Sequence, residues 1–175
     1  MNITVRHGLI EDADSIGVVH VESWKTTYAG IVPDDYLASL NIAARATAWK
    51  ARLNDKTNLI LVAENASGIV GFVSGGKLRD AIAGYDAELY AIYLLKQNQG
   101  QGIGKMLVRR LAEELLTRDF HQLIVWVLAK NPSTGFYASL GGSVVREKEI
   151  EIGEKQLTEL AFAWANLNEL VERSA

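Results

Sequence analysis

The sequence contains no cysteine. This absence excludes disulfide bonds, thiolate metal sites and any reaction that passes through an acyl-cysteine intermediate. Long apolar runs are missing as well, since no window reaches the roughly 18 uncharged apolar residues of a membrane-spanning helix. Residues 1–14 lack the apolar core of a signal peptide. We therefore expect a cytoplasmic protein with no membrane partner.

An excess of positive charge is also missing: 18 Lys and Arg stand against 21 Asp and Glu, and the net charge is −3. Nucleic-acid binding requires a basic face, so we expect no nucleic-acid partner. The three histidines, at positions 7, 20 and 121, follow no metal-ligand spacing, and we expect no metal. A chain of 175 residues, 49% of them hydrophobic, is long enough for a sizeable core. We predict one domain over residues 1–175.

Apolar periodicity predicts both strands and helices in the first third of the chain. Residues 2–8 favour a short strand, because β-branched residues alternate there with polar ones. Asp12 or Asp14 then caps a helix that ends near residues 28–30. Pro33 begins a second helix. Its expected buried stripe consists of Tyr36, Leu37, Leu40, Ala44, Ala48 and Trp49.

One crossover connection is evident in the remainder of the chain. A strand over 85–95, a helix over 103–118 and an apolar strand over 122–128 follow one another. This βαβ arrangement places the two strands parallel and adjacent, and ligands of such sheets bind beyond the carboxyl ends of the strands. The other predicted elements are antiparallel strands over 58–65 and 69–78, a short helix within 131–141, and a terminal hairpin over 143–164.

Three glycines alternate at positions 100, 102 and 104, in the segment QNQGQGIGKML that joins the predicted strand to the helix. Glycine loses the most conformational freedom on folding, so this spacing needs a physical reason. Free N–H groups at a helix N-terminus attract anions, and glycine lacks the Cβ atom that would block their approach. A phosphate or pyrophosphate cradle is one interpretation; a glycine-rich turn that ends the strand is the other.

Two common phosphate loops do not fit this segment. The dinucleotide-binding pattern G-x-G-x-x-G fails because Lys105 stands three residues after Gly102. The pattern G-x-x-x-x-G-K-[ST] fails because Gln99 and Met106 occupy its Gly and Ser/Thr positions. The spacing that fits is Q-x-x-G-x-G, from Gln99 to Gly104.

The segment LYAIYLLKQNQGQGIGKMLV resembles the acetyl-coenzyme A signature of the GNAT N-acetyltransferases, [RQ]-x-x-G-x-[GA] at a strand-to-helix junction. NPSTGFYASLGG resembles a second family segment, with Asn, Phe-Tyr and Leu-Gly in order. Departures are Lys96 for a common proline, Gln99 for the more usual arginine and Gly142 for phenylalanine. The resemblance covers nearly the whole chain. It implies the GNAT fold: a mixed α/β architecture with a mostly antiparallel sheet, one parallel βαβ pair splayed around the cofactor, and flanking helices.

The resemblance implies acetyl-coenzyme A as co-substrate. The backbone amides of residues 99–105 would hold its pyrophosphate, and the strand edge at Ile92 and Leu94 would pair with the pantetheine arm. Asn131 would bond the arm from the other side, although it can equally cap the helix that follows Pro132. The implied cofactor-binding residues are Ile92, Leu94, Gln99, Gly100, Gln101, Gly102, Ile103, Gly104, Lys105 and Asn131.

The implied reaction is direct attack of a primary amine on the thioester in a ternary complex. Tyr137 is the implied general acid, because a phenol of pKa about 10 keeps its proton at neutral pH and can give it to a thiolate, whose conjugate thiol has a pKa of about 8.5. A core tyrosine is the alternative. Glu88 is the first candidate for the base and Asp86 the second, because both share a strand face with Tyr90. Simply solvated carboxylates are the alternative.

The first helix is expected to form a wall of the acceptor site. Trp24 and Tyr28 lie four residues apart on one helical face and, with Tyr90, are the expected substrate-binding residues; an aromatic core pair is the alternative. The predicted acceptor is a small molecule such as a polyamine or an amino-acid-like amine. The alternatives are a peptide amine, at a protein N-terminus or lysine, and a coenzyme A-binding module without catalysis. Homodimers are common in the family, so the resemblance is also compatible with a homodimer.

Overall fold

A computed structural model describes residues 2–174. Met1 and Ala175 lie outside the described residues, and one domain over 1–175 stays a prediction. The strands are β1 (Thr4–His7), β2 (Leu59–Asn65), β3 (Gly68–Lys77), β4 (Ala87–Leu94), β5 (Leu123–Leu128), β6 (Ser143–Ile152) and β7 (Lys155–Trp164). The helices are α1 (Ala13–Thr27), α2 (Asp34–Ser39), α3 (Ile42–Asn54), α4 (Ile103–Thr117), α5 (Thr134–Ser139) and α6 (Leu167–Arg173), with 3-10 turns at Ile10–Asp12 and Lys96–Asn98.

The seven strands form one sheet in the order β1-β2-β3-β4-β5-β7-β6. Every neighbouring pair is antiparallel except β4 and β5, which are parallel. The crossover through α4 requires this parallel pairing. The predicted mixed α/β fold is therefore confirmed, and the carboxyl ends of β4 and β5 lie at the same end of the sheet.

Helices cover both faces of the sheet. On one face α4 buries Leu107, Leu111 and Leu115, and the unpredicted helix α6 packs beside it. On the other face α1 and α3 bury Ile16 and Trp49 against β2 and β3. Burying one such side chain stabilises the fold by about 1.5–3 kcal/mol, so these apolar stripes hold the helices on the sheet.

A bulge interrupts β4 in the middle of the sheet. The β3–β4 ladder pairs Ser74 with Ala91 and Gly75 with Leu89. Tyr90 is therefore an extra residue in β4, opposite no residue of the ladder among those the structure describes. Such a bulge increases the local twist and changes the direction in which the strand continues.

The parallel ladder between β4 and β5 ends beside this bulge. Within the described chain it joins Ala87 to Leu123 at one end and Leu89 to Val125 at the other. Beyond these positions the two strands separate, although both continue for several residues. The splayed parallel pair that the family resemblance implies is therefore present.

The bulge also exchanges the two faces of β4. Before it, Leu89 packs on the α4 side of the sheet; after it, Ile92 and Leu94 pack there. Tyr93 consequently faces the α1 side, where it contacts the α1–α3 core. In a strand without a bulge, alternation would place Tyr93 on the same side as Leu89.

The prediction of one helix that extends from Pro33 to Trp49 is wrong. α2 is only six residues long, and Leu40 after it has an extended backbone with φ −64° and ψ 124°. Asn41 then caps a new helix, because its side-chain oxygen accepts a hydrogen bond from the Ala44 amide at 2.9 Å. Ala44 is consequently exposed, whereas Trp49 stays buried.

Gly17 lets α1 approach α3 closely. A Cβ atom at this position would lie 2.9 Å from the Ala46 nitrogen and 3.0 Å from the Ile42 oxygen, and both are backbone atoms that cannot move aside alone. We expect Gly17→Ala to destabilise the protein by about 1–3 kcal/mol, because the two helices must shift apart. Chemical denaturation followed by circular dichroism measures this change.

Gly135→Ala is the matched control for this prediction. Gly135 lies in α5, and an added Cβ would meet no described atom within 4 Å. There alanine should be neutral or stabilising by up to about 1 kcal/mol, from helix propensity alone. Equal effects of the two substitutions would contradict a close contact at Gly17.

Candidate active site

A cavity of about 660 Å³ opens where β4 and β5 separate. Its walls come from the end of α1, from β4 and β5 beyond their ladder, from the glycine loop and from residues 131–137. The structure thus brings most of the predicted site residues together. Those that line this cavity are Tyr28, Tyr90, Ile92, Leu94, Gln99, Gly100, Gly102, Gly104, Lys105, Asn131 and Tyr137.

The glycine loop forms one end of the cavity. Gly100 and Gly102 have left-handed backbone conformations, with φ of 71° and 81°. Residues other than glycine adopt this conformation only at a cost in free energy. A Cβ atom at either position would meet no described atom within 4 Å, so it would project into open space at the mouth of the site. At Gly104, by contrast, an added Cβ atom would lie 3.3 Å from the Phe136 ring. The three glycines therefore serve both the turn and the approach of a ligand.

Free backbone amides stand at the start of α4. The first hydrogen bond of this helix runs from the Met106 amide to the Gly102 carbonyl. The three amides before it, at residues 103–105, have no helical carbonyl to bond and carry the positive end of the helix dipole. Lys96 and Lys105 line the same end of the cavity. The arrangement is suited to an anion such as a phosphate.

Three residues of this loop direct their side chains away from such a ligand. The Gln99 side chain donates to the Leu94 carbonyl at 3.1 Å, and the Gln101 side chain donates to the Gln97 carbonyl at 2.8 Å. The Ile103 side chain is buried in the core under α4. Ile103 can therefore offer only main-chain groups.

The free edge of β4 forms one long wall. The Leu95 amide bonds the Val70 carbonyl of β3, so by alternation the backbone groups of Ile92 and Leu94 point away from β3 and into the gap. The Leu94 carbonyl already accepts hydrogen bonds from Ser23 and Gln99. The polar groups of Ile92 and the Leu94 amide are left to pair with an extended ligand.

Asn131 lies buried on the opposite wall. Its side-chain oxygen accepts from the Ser133 amide at 2.9 Å, which is the local turn bond expected of a residue before a helix. Its side-chain nitrogen donates to the Tyr28 hydroxyl at 3.2 Å. Asn131 thus connects the turn before α5 to the end of α1, across the base of the cavity.

Tyr137 is 5% exposed and lines the cavity from α5. Burial raises the pKa of its phenol above the ordinary value, and the neighbouring Tyr93 adds to the rise. The side chain also packs on Phe162 and Trp164. The phenol therefore keeps its proton at neutral pH and can act as a proton donor.

A second cavity, of about 220 Å³, adjoins the first. It carries two ion pairs, between Arg79 and Glu88 and between Lys148 and Glu159. Its remaining walls are largely aromatic. The residues that line both cavities are Tyr28, Tyr90, Tyr93, Trp126 and Val127.

The two carboxylates predicted as candidate bases lie in different places. Glu88 is 2% exposed and lines the second cavity, where it accepts hydrogen bonds from the Arg79 side chain and backbone amide. Asp86 instead holds the beginning of β5, because its two oxygens accept from the amides of His121 and Gln122 at 2.9 Å each. Of the pair, Glu88 is the one that lines a cavity.

Aromatic side chains form the wall between the second cavity and the core. Trp24 of α1 and Tyr28, the residue after this helix, line this cavity and pack on each other, with ring centroids 4.6 Å apart. Tyr28 is also buried in a core cluster, so the pair is both wall and core. Tyr93 joins them from β4 and was not predicted as a site residue, because only the bulge turns it to this face.

His20 lies behind this aromatic wall. The centre of its ring lies 5.1 Å from the ring centre of Tyr93 and 6.0 Å from that of Trp24. Its Nδ1 accepts a hydrogen bond from Trp49 Nε1 at 3.0 Å, so Nε2 carries the hydrogen of the neutral ring. Nε2 is buried and finds no hydrogen-bond partner among the described residues. Burial, with the charges of Arg45 and Arg52, lowers the pKa of His20 to about 3.

Within residues 2–174 no three histidine or carboxylate side chains come together as a metal site. In the same range no helix is long and apolar enough to cross a bilayer.

A gap between parallel strands that ends in a glycine-rich helix N-terminus defines a site for an extended ligand with a phosphate group. The chain matches the model of the acetyltransferase (GNAT) family over residues 21–141. It belongs to this family, and it is an acetyl-coenzyme A-dependent N-acetyltransferase.

Two named relatives align over most of the chain. The chain is 43% identical to the uncharacterized N-acetyltransferase YuaI of Bacillus subtilis (strain 168) over 169 residues, 96% of either chain. It is 30% identical to a spermidine N(1)-acetyltransferase of Thermoplasma acidophilum over 144 residues, 78% of this chain and 84% of that protein.

Solved structures agree with the fold. The PaiA N-acetyltransferase of Thermoplasma acidophilum, in complex with coenzyme A, superimposes with a TM-score of 0.70 at 28% identity, over 91% of this chain and 98% of that one. A ribosomal-protein-alanine N-acetyltransferase of Brucella melitensis gives a TM-score of 0.73 at 23% identity, over 92% and 98% of the two chains. The latter likeness concerns the fold alone.

The buried neutral His20 predicts a dependence of stability on pH. The unfolded chain binds a proton near pH 6.5, whereas folded His20 binds one only near pH 3. The folded state therefore loses stability as the pH falls below 6.5, by about 2 kcal/mol between pH 6.5 and 5 from this group. Urea unfolding at a series of pH values measures the loss.

Two substitutions isolate the contribution of His20. His20→Asn keeps an acceptor for Trp49 and removes the titration, so its stability should change less between pH 6.5 and 5 than that of the wild type. His121→Asn removes an exposed histidine and should leave the pH dependence as it is. An identical pH dependence in the wild type and His20→Asn would contradict a neutral buried ring.

Proposed function

We propose that the protein transfers the acetyl group of acetyl-coenzyme A to the primary amine of a small molecule, by direct attack in a ternary complex. The continuity of the two cavities carries the proposal. Five residues line both cavities: four from β4 and β5, and Tyr28 after α1. A thioester in the first cavity and an amine in the second would meet at these shared walls, so binding alone would align them.

The residues at the large cavity fit coenzyme A. The amides of residues 103–105, with Lys96 and Lys105, would hold the pyrophosphate, and the positive φ of Gly100 and Gly102 keeps that end open. The backbone of Ile92 would pair with the pantetheine arm. When bound, acetyl-coenzyme A supplies the activated thioester. Asn131 would orient Tyr28 and complete the wall opposite β4.

Tyr137 is the proposed general acid. As the carbon–sulfur bond breaks, the departing thiolate needs a proton, and the buried phenol holds one at neutral pH. Because its pKa is raised, the phenol stays protonated at neutral pH and is not available there as a general base. The Tyr137 ring packs on Phe162 and Trp164 of β7, and these contacts keep the phenol in place.

Glu88 is the proposed acceptor of the proton that the ammonium must lose. A carboxylate has about four lone-pair sites, so Glu88 can bind Arg79 and still accept from an ammonium or a water. Its position in the second cavity supports this assignment. Asp86 has no part in the proposal, since it lines neither cavity and instead holds the beginning of β5.

Closure of the acceptor side supports a small amine over a protein substrate. The β6–β7 hairpin folds over the segment after α1, where Lys155 donates to the Ile31 carbonyl at 2.7 Å. Its turn touches Tyr36: a Cβ on Gly153 would lie 2.9 Å from the Tyr36 Cβ. A long peptide groove would need this passage open. The spermidine-acetylating relative supports a polyamine as one small acceptor, and an amino-acid-like amine is the other.

Tyr137→Phe tests the general acid. We expect kcat to fall by about 100-fold or more, because the leaving thiolate loses its proton donor. The Kd of coenzyme A should stay near that of the wild type, since the ring still fills the same space. Steady-state release of free thiol gives kcat, and calorimetry gives the Kd.

Tyr85→Phe removes the same hydroxyl type from a tyrosine before β4 and should retain wild-type kcat. If Tyr137→Phe also retains it, Tyr137 is not the acid. A parallel loss of coenzyme A affinity and kcat in Tyr137→Phe would instead assign it to binding.

Gly102→Asp tests the anion cradle. The new side chain would stand in front of the free amides and add a charge of the same sign as a phosphate. We expect the Kd of coenzyme A to rise by about 10- to 100-fold, the range for losing hydrogen bonds to a charged group. Calorimetric titration measures the change.

Gly84→Asp controls for backbone strain and added charge. Gly84 also has a positive φ, of 87°, and an added Cβ there meets no described atom within 4 Å. It lies in the loop between β3 and β4, and its substitution should leave coenzyme A affinity intact. Equal affinities for the two variants would refute a cradle at Gly102.

A further inference from the structure

The charges of the second cavity are already balanced before any acceptor enters. Glu88 bonds Arg79, and the Lys148 ammonium lies 3.6 Å from Glu159 and 4.0 Å from the centre of the Trp126 ring. A polyamine brings at least two ammonium groups, and each would find its carboxylate shared with a protein cation. The cavity therefore lacks the excess negative charge that favours a polycation.

Arg79 presents unused hydrogen-bond donors beside this cavity. A guanidinium has five N–H donors. Nε and one N–H of Nη2 donate to Glu88, so three donors have no acceptor among residues 2–174. The side chain is 61% exposed, while that of Glu88 is 2% exposed. The free donors thus face the accessible side of the ion pair.

Arg79 is held in one orientation. Its guanidinium lies 4.8 Å from the centre of the Tyr90 ring, which is the bulge residue of β4. The Tyr90 hydroxyl in turn donates to the Lys77 carbonyl at 2.5 Å. A planar guanidinium fixed in this way is suited to bind a carboxylate through two parallel hydrogen bonds.

We propose that Arg79 determines specificity and selects an acceptor with a carboxylate beside its amine, that is, an amino-acid-like zwitterion. The Arg79–Glu88 pair presents a positive and a negative group side by side. An α-amino acid presents the opposite pair at similar spacing, so its carboxylate binds Arg79 and its ammonium binds Glu88. This inference rests on the proposed function and decides between its two acceptor classes.

The first test compares matched acceptors with the wild-type enzyme. The panel contains the standard amino acids, the α-amide of each, and putrescine, cadaverine and spermidine, with thiol release as readout. The amide has the less basic amine and thus more free amine at neutral pH, so chemistry alone favours the amide. We expect the best amino acid to exceed its own amide in kcat/KM by about 10-fold or more, as for the loss of a charged hydrogen bond.

The second test removes the guanidinium. In Arg79→Gln the preference for acid over amide should fall to about threefold or less, as expected when the group that reads the carboxylate is lost, and turnover of cadaverine relative to the amino acid should rise. Arg109→Gln removes an arginine paired with Glu113 on the outer face of α4 and should keep the wild-type preference. Arg79→Lys keeps the charge beside buried Glu88 but lacks the fork, so it should fold and show an intermediate preference.

The outcomes separate the inference from the proposed function. Wild-type preference for amides or polyamines over amino acids overturns the inference and leaves small-amine acetylation in place. An unchanged acid preference in a folded Arg79→Gln or Arg79→Lys overturns it as well. If the enzyme binds coenzyme A but acetylates no small amine of the panel, the proposed function fails and the inference fails with it.

Discussion

The bulge at Tyr90 is the constraint on which the rest of the site depends. Two parallel strands joined by a crossover would ordinarily pair along their whole length, and their backbone groups would leave nothing for a ligand. One extra residue in β4 ends that ladder at Leu89 and Val125. The strands then separate, and the edge of β4 offers its own amides and carbonyls to a partner. The fold thus gives up several hydrogen bonds of the sheet in order to make a binding site.

The same residue connects cofactor and acceptor chemistry. Because the bulge reverses the side-chain alternation, Tyr93 reaches the α1 side and lines both cavities with Tyr28. Tyr90 itself supports the Arg79 guanidinium on the acceptor side. In the proposed reaction the donor and the acceptor would therefore meet at a wall of aromatic rings.

The buried ionisable groups near this aromatic wall are either neutral or paired with an opposite charge. His20 is neutral because the aromatic cluster and two nearby arginines disfavour its protonated form. Glu88, almost wholly buried, is held by Arg79 instead. A buried ionised carboxylate without a partner would be strongly destabilising. The ion pair in the second cavity thus contributes to stability and is also a candidate means of recognition.

The sequence by itself determined the order of the strands, the parallel pair and the glycine loop, because these depend on local periodicity and on glycines at alternate positions. It missed the break between α2 and α3 and the helix α6. Gly100 and Gly102 indicate a left-handed turn from the local sequence alone. Only the tertiary structure decided which side chains meet. Tyr93 could not be placed from alternation, since the bulge depends on the β3 partner. Arg79 lies in a loop without periodicity. The two carboxylates look equivalent in the sequence, but Asp86 holds the beginning of β5 and Glu88 lines a cavity. These positions are determined by contacts between residues far apart in the chain, and such contacts cannot be predicted from a local sequence pattern.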